Sequence, residues 1–292
     1  MSDISVVMCV FNGASSLKRS MESLLSQEGV EFEIIVVNDG STDSTKQLLE
    51  DYAQHYRQVK VFEQENAGLT RSLIRACANA KGRYIARQDC GDSSLPERLL
   101  KQFELLESEP ELLMVSCATR FIDEKGTYLY SISQTSEELN VDLLGSNESS
   151  LRAPSHHGSV MFRRDAYEKV GGYRLPFYVA QDLDLWSRFI EIGSCASIRE
   201  ELYETQWNPG SIRHLKRKQQ LIATRAILQS RKSRMEGKTE TGILKALDRS
   251  LNRKKLSLVP LALQASRYHY FIGSILANRD SEAAIDHYSV GH

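Results

Sequence analysis

A chain of 292 residues with 41% hydrophobic content can bury a full core, either as one large domain with an appendage or as two modest domains. Lys and Arg total 37 against 38 Asp and Glu, and a formal net charge of -1 excludes a global field that would gather nucleic acid or an anionic membrane. The five cysteines (Cys9, Cys77, Cys90, Cys117, Cys195) are scattered and lack CxxC spacing, which argues against a disulfide framework or zinc cluster and for a reducing compartment.

The N-terminus runs into the strand-like Ile4 to Val10 without a basic region or long apolar core, so no signal peptide is expected. Leu17, Met21, Leu24 and Leu25 then recur at helical spacing behind Ser15 or Ser16, either of which can cap the helix. Glu33 to Val37 reads as the next strand, and Leu48, Leu49 and Tyr52 mark a helix opened by Asp43, Ser44 and Thr45. Val59 to Phe62 repeats the strand. Leu69, Leu73, Ala76 and Cys77 stripe a third helix closed by Gly82, followed by a strand over Arg83 to Ala86. Pro96 suits the first turn of a helix through Leu106, and Leu112 to Cys117 is a fifth strand.

Strand and helix in alternation require right-handed crossovers, which predicts parallel strands in one sheet with their carboxyl ends on a shared edge. Ligands bind outside that edge in such sheets. The residues delivered there are Cys9 to Asn12, Asn38 to Asp43, Gln64 to Gly68 and Gln88 to Asp92, a set rich in Asp, Asn and Gly. From Gly126 to Pro154 the pattern is weak and polar, as in a lid or an acceptor-side insertion. Ser159 to Arg163 reads as a strand, Asp165 to Val170 as a short helix ended by Gly171 and Gly172, and Asp182 to Ile192 as a solid helix. The expected division is a first domain over 1–214, with halves near 1–120 and 121–214, and a helical, basic region over 215–292. The apolar run Leu256 to Leu263 is broken by Ser257 and Pro260 and falls far short of the roughly 20 residues a membrane span needs.

Two acidic segments stand out. Asp89 and Asp92 lie in Arg87-Gln88-Asp89-Cys90-Gly91-Asp92, just after a buried strand, where carboxylates are costly unless they meet a cation or solvent. Asp182 begins a helix in Ala180-Gln181-Asp182-Leu183-Asp184-Leu185-Trp186. Residues four apart share a helix side, so Asp182 and Trp186 are expected to line one wall while Asp184 faces elsewhere. His156 and His157 are adjacent and diverge in an extended segment, which favours loop or acceptor-side packing over a metal pair.

The run Val36-Val37-Asn38-Asp39-Gly40-Ser41-Thr42-Asp43, with Asn66 to Gly68, Tyr84 to Asp92 and Leu95-Pro96-Glu97-Arg98-Leu99, resembles the large inverting glycosyltransferase family 2. His157 to Arg163, Gly171 to Arg174 and Gln181 to Trp186 extend the resemblance over roughly residues 4 to 215. The fold implied is α/β: a Rossmann-like GT-A domain with a mainly parallel central sheet, here with a C-terminal helical region. The activity implied is metal-assisted transfer of a sugar from a nucleotide-diphosphate donor, commonly a UDP-sugar, to an acceptor hydroxyl in polysaccharide biosynthesis.

Position by position, the resemblance puts Phe11 and Asn12 where the first strand meets the nucleotide, Asp39 where a carboxylate accepts a hydrogen bond from the base, and Arg71 near the nucleotide or its phosphates. Asp89 heads a DxD-like motif, and Asp182 matches the general base. Gly91 stands where most members carry the second Asp, and Gln181 replaces a Glu, so Asp92 is expected to take over the metal contact. The cofactor expected is Mn2+ or Mg2+. His157, Trp186 and His214 are expected on the acceptor side or in a flap, with a saccharide or lipid-linked saccharide as acceptor and no nucleic-acid partner.

Such an enzyme is expected to be cytoplasmic, with Arg213, Lys216, Arg217, Lys218 and Arg225 offering a peripheral contact to the inner face of the membrane. Two alternatives share the sheet-edge logic. A sugar nucleotidyltransferase would carry a Gly- and basic-rich loop near residues 9–20, where only Gly13, Lys18 and Arg19 occur. A catalytically silent sugar-nucleotide binding module would explain the Gly91 and Gln181 departures.

Overall fold

A computed structural model describes residues 2–207 and 216–252. Strands β1 (Ile4–Val10), β2 (Phe32–Asp39), β3 (Val59–Gln64) and β4 (Tyr84–Asp89) are parallel neighbours in the order β3-β2-β1-β4. They alternate with helices α1 (Leu17–Leu25), α2 (Thr45–His55) and α3 (Leu69–Asn79). After the short β5 (Ser93–Ser94) and helix α4 (Arg98–Ser108), the sheet continues through β8 (Met161–Arg163), β6 (Leu112–Ile122) and β9 (Ser194–Gln206), with β7 (Tyr128–Ile132) paired to β6.

The sheet is mainly parallel, as expected, with an antiparallel strand inserted after β4. Strand β8 runs antiparallel to both β4 and β6, so the fifth predicted strand points the same way as β4 but does not touch it. Thirteen-residue β9, which the sequence pattern did not reveal, lies parallel to β6 and antiparallel to β5. The polar 126–154 segment contains β7 and helix α5 (Ser136–Leu143), whose Thr135 hydroxyl accepts the Glu138 amide while Glu138 accepts the Thr135 amide.

Period-two alternation along buried strands sends side chains to two cores. Val7, Ile35, Val37 and Ile85 face one layer with Leu73, Ala76 and Cys77 of α3 and with helices α6 (Arg164–Lys169) and α7 (Gln181–Phe189). Val6, Met8, Ile34 and Val36 face the other with Leu17, Met21 and Leu24 of α1, Leu49 of α2 and Leu99 of α4. Helices α8 (Arg217–Met235) and α9 (Thr241–Asn252) add Ala223, Ala226, Ile227, Leu247 and Leu251 to the first core. Lys216 lies over the Tyr178 ring and Arg225 pairs with Glu148, so both cations have partners within the chain. Residues 253–292 of the expected helical region and Arg213 lie outside the described residues. Among the described residues no helix is long and apolar enough to cross a membrane.

Two local readings change. Gly82 does not end α3, which stops at Asn79; a Cβ at 82 would sit 2.6 Å from the Ser5 amide nitrogen, so the glycine permits close backbone approach at the start of β1. Pro96 precedes α4, whose N-cap is Glu97 in the left-handed region at φ 62.

Asp184 is fully buried on α7 and accepts from Arg174 Nε at 3.0 Å and Arg188 Nη2 at 2.7 Å. Arg174 also donates to Glu240, which ties α7 to the segment before α9. Removing one partner of a buried ion pair leaves uncompensated charge, so Asp184→Ala is expected to lower unfolding free energy by about 3–5 kcal/mol in denaturant titration. A loss below about 1 kcal/mol would show that the two guanidiniums find other acceptors.

Candidate active site

The carboxyl ends of β1, β2, β3 and β4 share an edge, and the loops above it are stitched together. Asn12, in the left-handed region at φ 52, accepts the Thr42 amide at 2.8 Å, and its own amide donates to Ser41 Oγ at 2.9 Å. Asp43 accepts the amides of Thr45 at 3.0 Å and Ala14 at 3.2 Å, a turn and cap role. Asp39 is 4% exposed and accepts from Gln64 Nε2 at 2.6 Å, the Ala67 amide at 2.8 Å and the Gly68 amide at 2.9 Å. Phe11 stands 51% exposed on this edge, and Arg71 is exposed in the first turn of α3.

Asp89 ends β4 with its side chain 31% exposed. Arg87, fully buried, donates to its Oδ1 at 2.5 Å and to the carbonyl of Val7 at 2.6 Å. Burial pushes the Asp89 carboxyl up, but Arg87, His157 and His156 together outweigh it and hold the group below the ordinary carboxylate range. The chain then turns through Gly91 at φ 101, a conformation open to glycine, so Asp92 comes back beside Asp89. Asp92 is 7% exposed and its carboxyl lies above the usual range, chiefly through burial and further through the neighbouring Asp89 charge.

His156 completes this group. Its Nδ1 lies 3.6 Å from Asp92 Oδ2 and 3.8 Å from Asp89 Oδ2, and it accepts the Gly158 amide at 3.1 Å. One ligand atom from each of Asp89, Asp92 and His156 falls within 4.8 Å of the others. Two carboxylates and an imidazole suit Mn2+ or Mg2+ better than a thiol-seeking metal, and a cation would relieve the mutual repulsion of two crowded acids. The two histidines do diverge, at backbone φ -150 and ψ 143 for His156, and divergence sends one to the acids and the other inward.

That second residue, His157, shares Nε2 with the Tyr173 hydroxyl at 2.8 Å and accepts Arg87 Nε at 3.4 Å. Burial first, and then the Arg87 charge, push its imidazole down to about 4, against the opposing pull of Asp182 and Asp89. The ring is packed edge-on against Tyr173 and Trp186, with centroids 5.9 Å and 6.2 Å away.

Asp182 is in the first turn of α7, behind Ala180 at φ 54, a strained setting for an alanine. With Ala180 and Leu183 it borders a cavity of about 690 Å3 that also takes in Ser155, Asp142 and Glu138. Trp186 does not share this wall. It is fully buried between Phe162 and Phe189, because the same helix side that presents Asp182 at the rim runs one turn deeper into the core. His214 lies outside the described residues.

Tyr203 on β9 is a further site residue that the sequence did not reveal. Its hydroxyl donates to Asp92 Oδ2 at 2.9 Å and accepts the Asp89 amide at 3.1 Å.

The profile described as Glycosyl transferase family 2 matches residues 5–207. EpsE of Bacillus subtilis (strain 168), named a putative glycosyltransferase, is 35% identical over 208 residues, covering 70% of this chain and 72% of EpsE. The O-antigen biosynthesis glycosyltransferase WbnJ of Escherichia coli is 30% identical over 197 residues, covering 67% of this chain and 74% of WbnJ. The crystal structure of S. aureus TarS superposes with a TM-score of 0.61 at 15% identity, over 100% of this chain and 55% of that one. A structure of TarS 1–349 in complex with UDP-GlcNAc gives a TM-score of 0.59 at 15% identity, over 99% and 89%. At that identity the likeness is one of fold, and the fold is the Rossmann-like GT-A arrangement. The profile match over residues 5–207, most of the chain, shows that this chain belongs to glycosyltransferase family 2, enzymes of glycosyl transfer.

Proposed function

We propose that the chain moves a sugar from a nucleoside-diphosphate donor, with UDP as the nucleotide, to a saccharide hydroxyl with inversion at the anomeric carbon. Asp182 takes the proton of the acceptor hydroxyl as its oxygen attacks the anomeric carbon and the bond to the diphosphate oxygen breaks on the opposite side. Asp89, Asp92 and His156 would hold a divalent cation, which when bound supplies positive charge against the charge growing on the diphosphate. Phe11, Asn12, Asp39 and Arg71 form the nucleotide side of the crevice. The cavity beside Asp182 takes the acceptor.

The observation that carries this reading is the convergence of Asp89, Asp92 and His156, one ligand atom of each within 4.8 Å of the others, at the carboxyl end of β4 in a chain of glycosyltransferase family 2. Support for UDP comes from TarS, a protein of the same fold solved with UDP-GlcNAc. A thermal-shift panel of UDP, GDP, CDP and ADP with and without Mn2+ tests the donor side. UDP with Mn2+ is expected to raise the midpoint, since a ligand at 100 times its Kd adds about 2.7 kcal/mol, with no comparable rise from UDP in EDTA. Equal stabilisation by all four nucleotides, independent of metal, would reject the reading. Turnover also separates this proposal from a silent binding module: metal-dependent hydrolysis of a UDP-sugar favours the enzyme.

A further inference from the structure

Tyr203 touches all three members of the Asp89, Asp92 and His156 group and is itself fully buried. Its hydroxyl spans the two ends of the 89–92 turn, donating to the Asp92 carboxylate at 2.9 Å and accepting the Asp89 amide at 3.1 Å. The ring stacks on the His156 imidazole, with centroids 5.3 Å apart and planes 29° from parallel. Its own position is fixed from several sides. A Cβ at Gly158 would lie 2.0 Å from the phenol oxygen, so only glycine leaves it room. The Arg98 guanidinium stands 4.9 Å from the ring centroid and is itself held by Ser94 Oγ at 2.7 Å and the Arg87 carbonyl at 2.8 Å.

Between Asp89 and Asp92 the backbone closes by the Asp92 amide on the Asp89 carbonyl at 3.2 Å and is braced by Ser20, whose Oγ accepts the Gly91 amide at 2.8 Å and donates to the Asp92 carbonyl at 2.8 Å, and by Gln88, whose Nε2 donates to the same carbonyl at 2.9 Å. Those contacts hold the main chain, whereas the Tyr203 hydroxyl reaches the Asp92 carboxylate itself. Two acids that repel each other are therefore spaced by a rigid phenol that also orients the imidazole. We infer that Tyr203 is the positioning residue of the cation site, setting the separation of the Asp89 and Asp92 carboxylates and the plane of the His156 ring. This inference rests on the proposed role of those three residues as cation ligands.

Partners that orient ligating carboxylates and imidazoles typically change metal affinity by about 10–100-fold when removed. Tyr203→Phe keeps the ring and its stacking and deletes the hydroxyl alone. Titration of Mn2+ in the presence of UDP, followed by the electron paramagnetic resonance signal of free Mn2+, is expected to show affinity about 10–100-fold weaker than wild type, with UDP binding in EDTA unchanged. If Tyr203 acts through Asp92, adding Asp92→Asn to Tyr203→Phe weakens binding by less than the product of the two single effects. Wild-type Mn2+ affinity in Tyr203→Phe, or fully multiplicative effects, would overturn the inference.

A probe that leaves the fold intact covers failure of the Phe variant to fold. With 3-fluorotyrosine incorporated at position 203, the fluorine resonance is expected to shift when Mg2+ is added to the UDP-bound protein, and an unmoved resonance counts against the inference. Wild-type protein that binds Mn2+ alongside an unaffected Tyr203→Phe variant isolates the failure to Tyr203, whereas wild-type protein that binds no Mn2+ with UDP sinks the cation site as well.

Discussion

Asp182→Asn is expected to bind the donor as wild type does and to lose transfer by about 100- to 10,000-fold, the range that a positioned general base contributes. Asparagine keeps the size of the side chain and its hydrogen-bonding capacity but cannot take the acceptor proton. The substitution also removes a negative charge from the first turn of α7, where it answers the helix dipole. That loss is worth about 0.3–1 kcal/mol, too little to unfold a domain of this size, so the kinetic effect is readable. Initial rates of transfer and the UDP-dependent thermal shift separate the two consequences. Full transfer in the variant would remove Asp182 from the chemistry, and a lost thermal shift would assign it to donor binding instead.

The second large effect concerns Asp89, where two substitutions should differ for a definite reason. Asp89 accepts a charged hydrogen bond from Arg87, which is fully buried and pairs with no other carboxylate among the described residues. Asp89→Asn keeps an oxygen for Arg87 and is expected to fold while losing the metal-dependent part of UDP binding. Asp89→Ala leaves the guanidinium unpaired and is expected to destabilise the fold by about 3–5 kcal/mol as well. Chemical denaturation of both variants beside UDP titration in Mn2+ checks this. Equal stability of the two would show that Val7, Gln88 and His157 suffice for Arg87, and Mn2+-dependent UDP binding in Asp89→Asn would take the carboxylate out of the cation site.

The first half of the fold was legible because β1, β2 and β4 are buried on both faces. Runs such as Ile34 to Val37 read as continuous β-branched segments, and the helices between them carry clean apolar stripes. Strand β9 was not legible: Arg199, Glu200, Glu201 and Glu204 interrupt its apolar positions, and their partners lie far off in sequence, Glu204 with Arg19 and Arg120 for instance. Helix α5 carried its signal in the Thr135 and Glu138 capping pair within an otherwise weak stretch. At the site, Asp89, Asp92 and Asp182 could be singled out because carboxylates at strand and helix ends are conspicuous. His156 could not, since nothing local points it toward residues 64 and 67 positions earlier, and Tyr203 reaches the same loop only through the β9 pairing that the pattern concealed.

The account turns on one claim, that a cation held by Asp89, Asp92 and His156 binds the diphosphate of the donor. Isothermal titration of UDP into the protein in saturating Mn2+ and again in EDTA addresses it most directly, with His156→Ala as the comparison because only the fold brings this histidine beside Asp89 and Asp92. The wild type is expected to bind UDP at least about tenfold tighter with Mn2+, a difference of about 1.4 kcal/mol, and His156→Ala to lose most of that gain. The same UDP affinity in Mn2+ and in EDTA for the wild type would contradict the account.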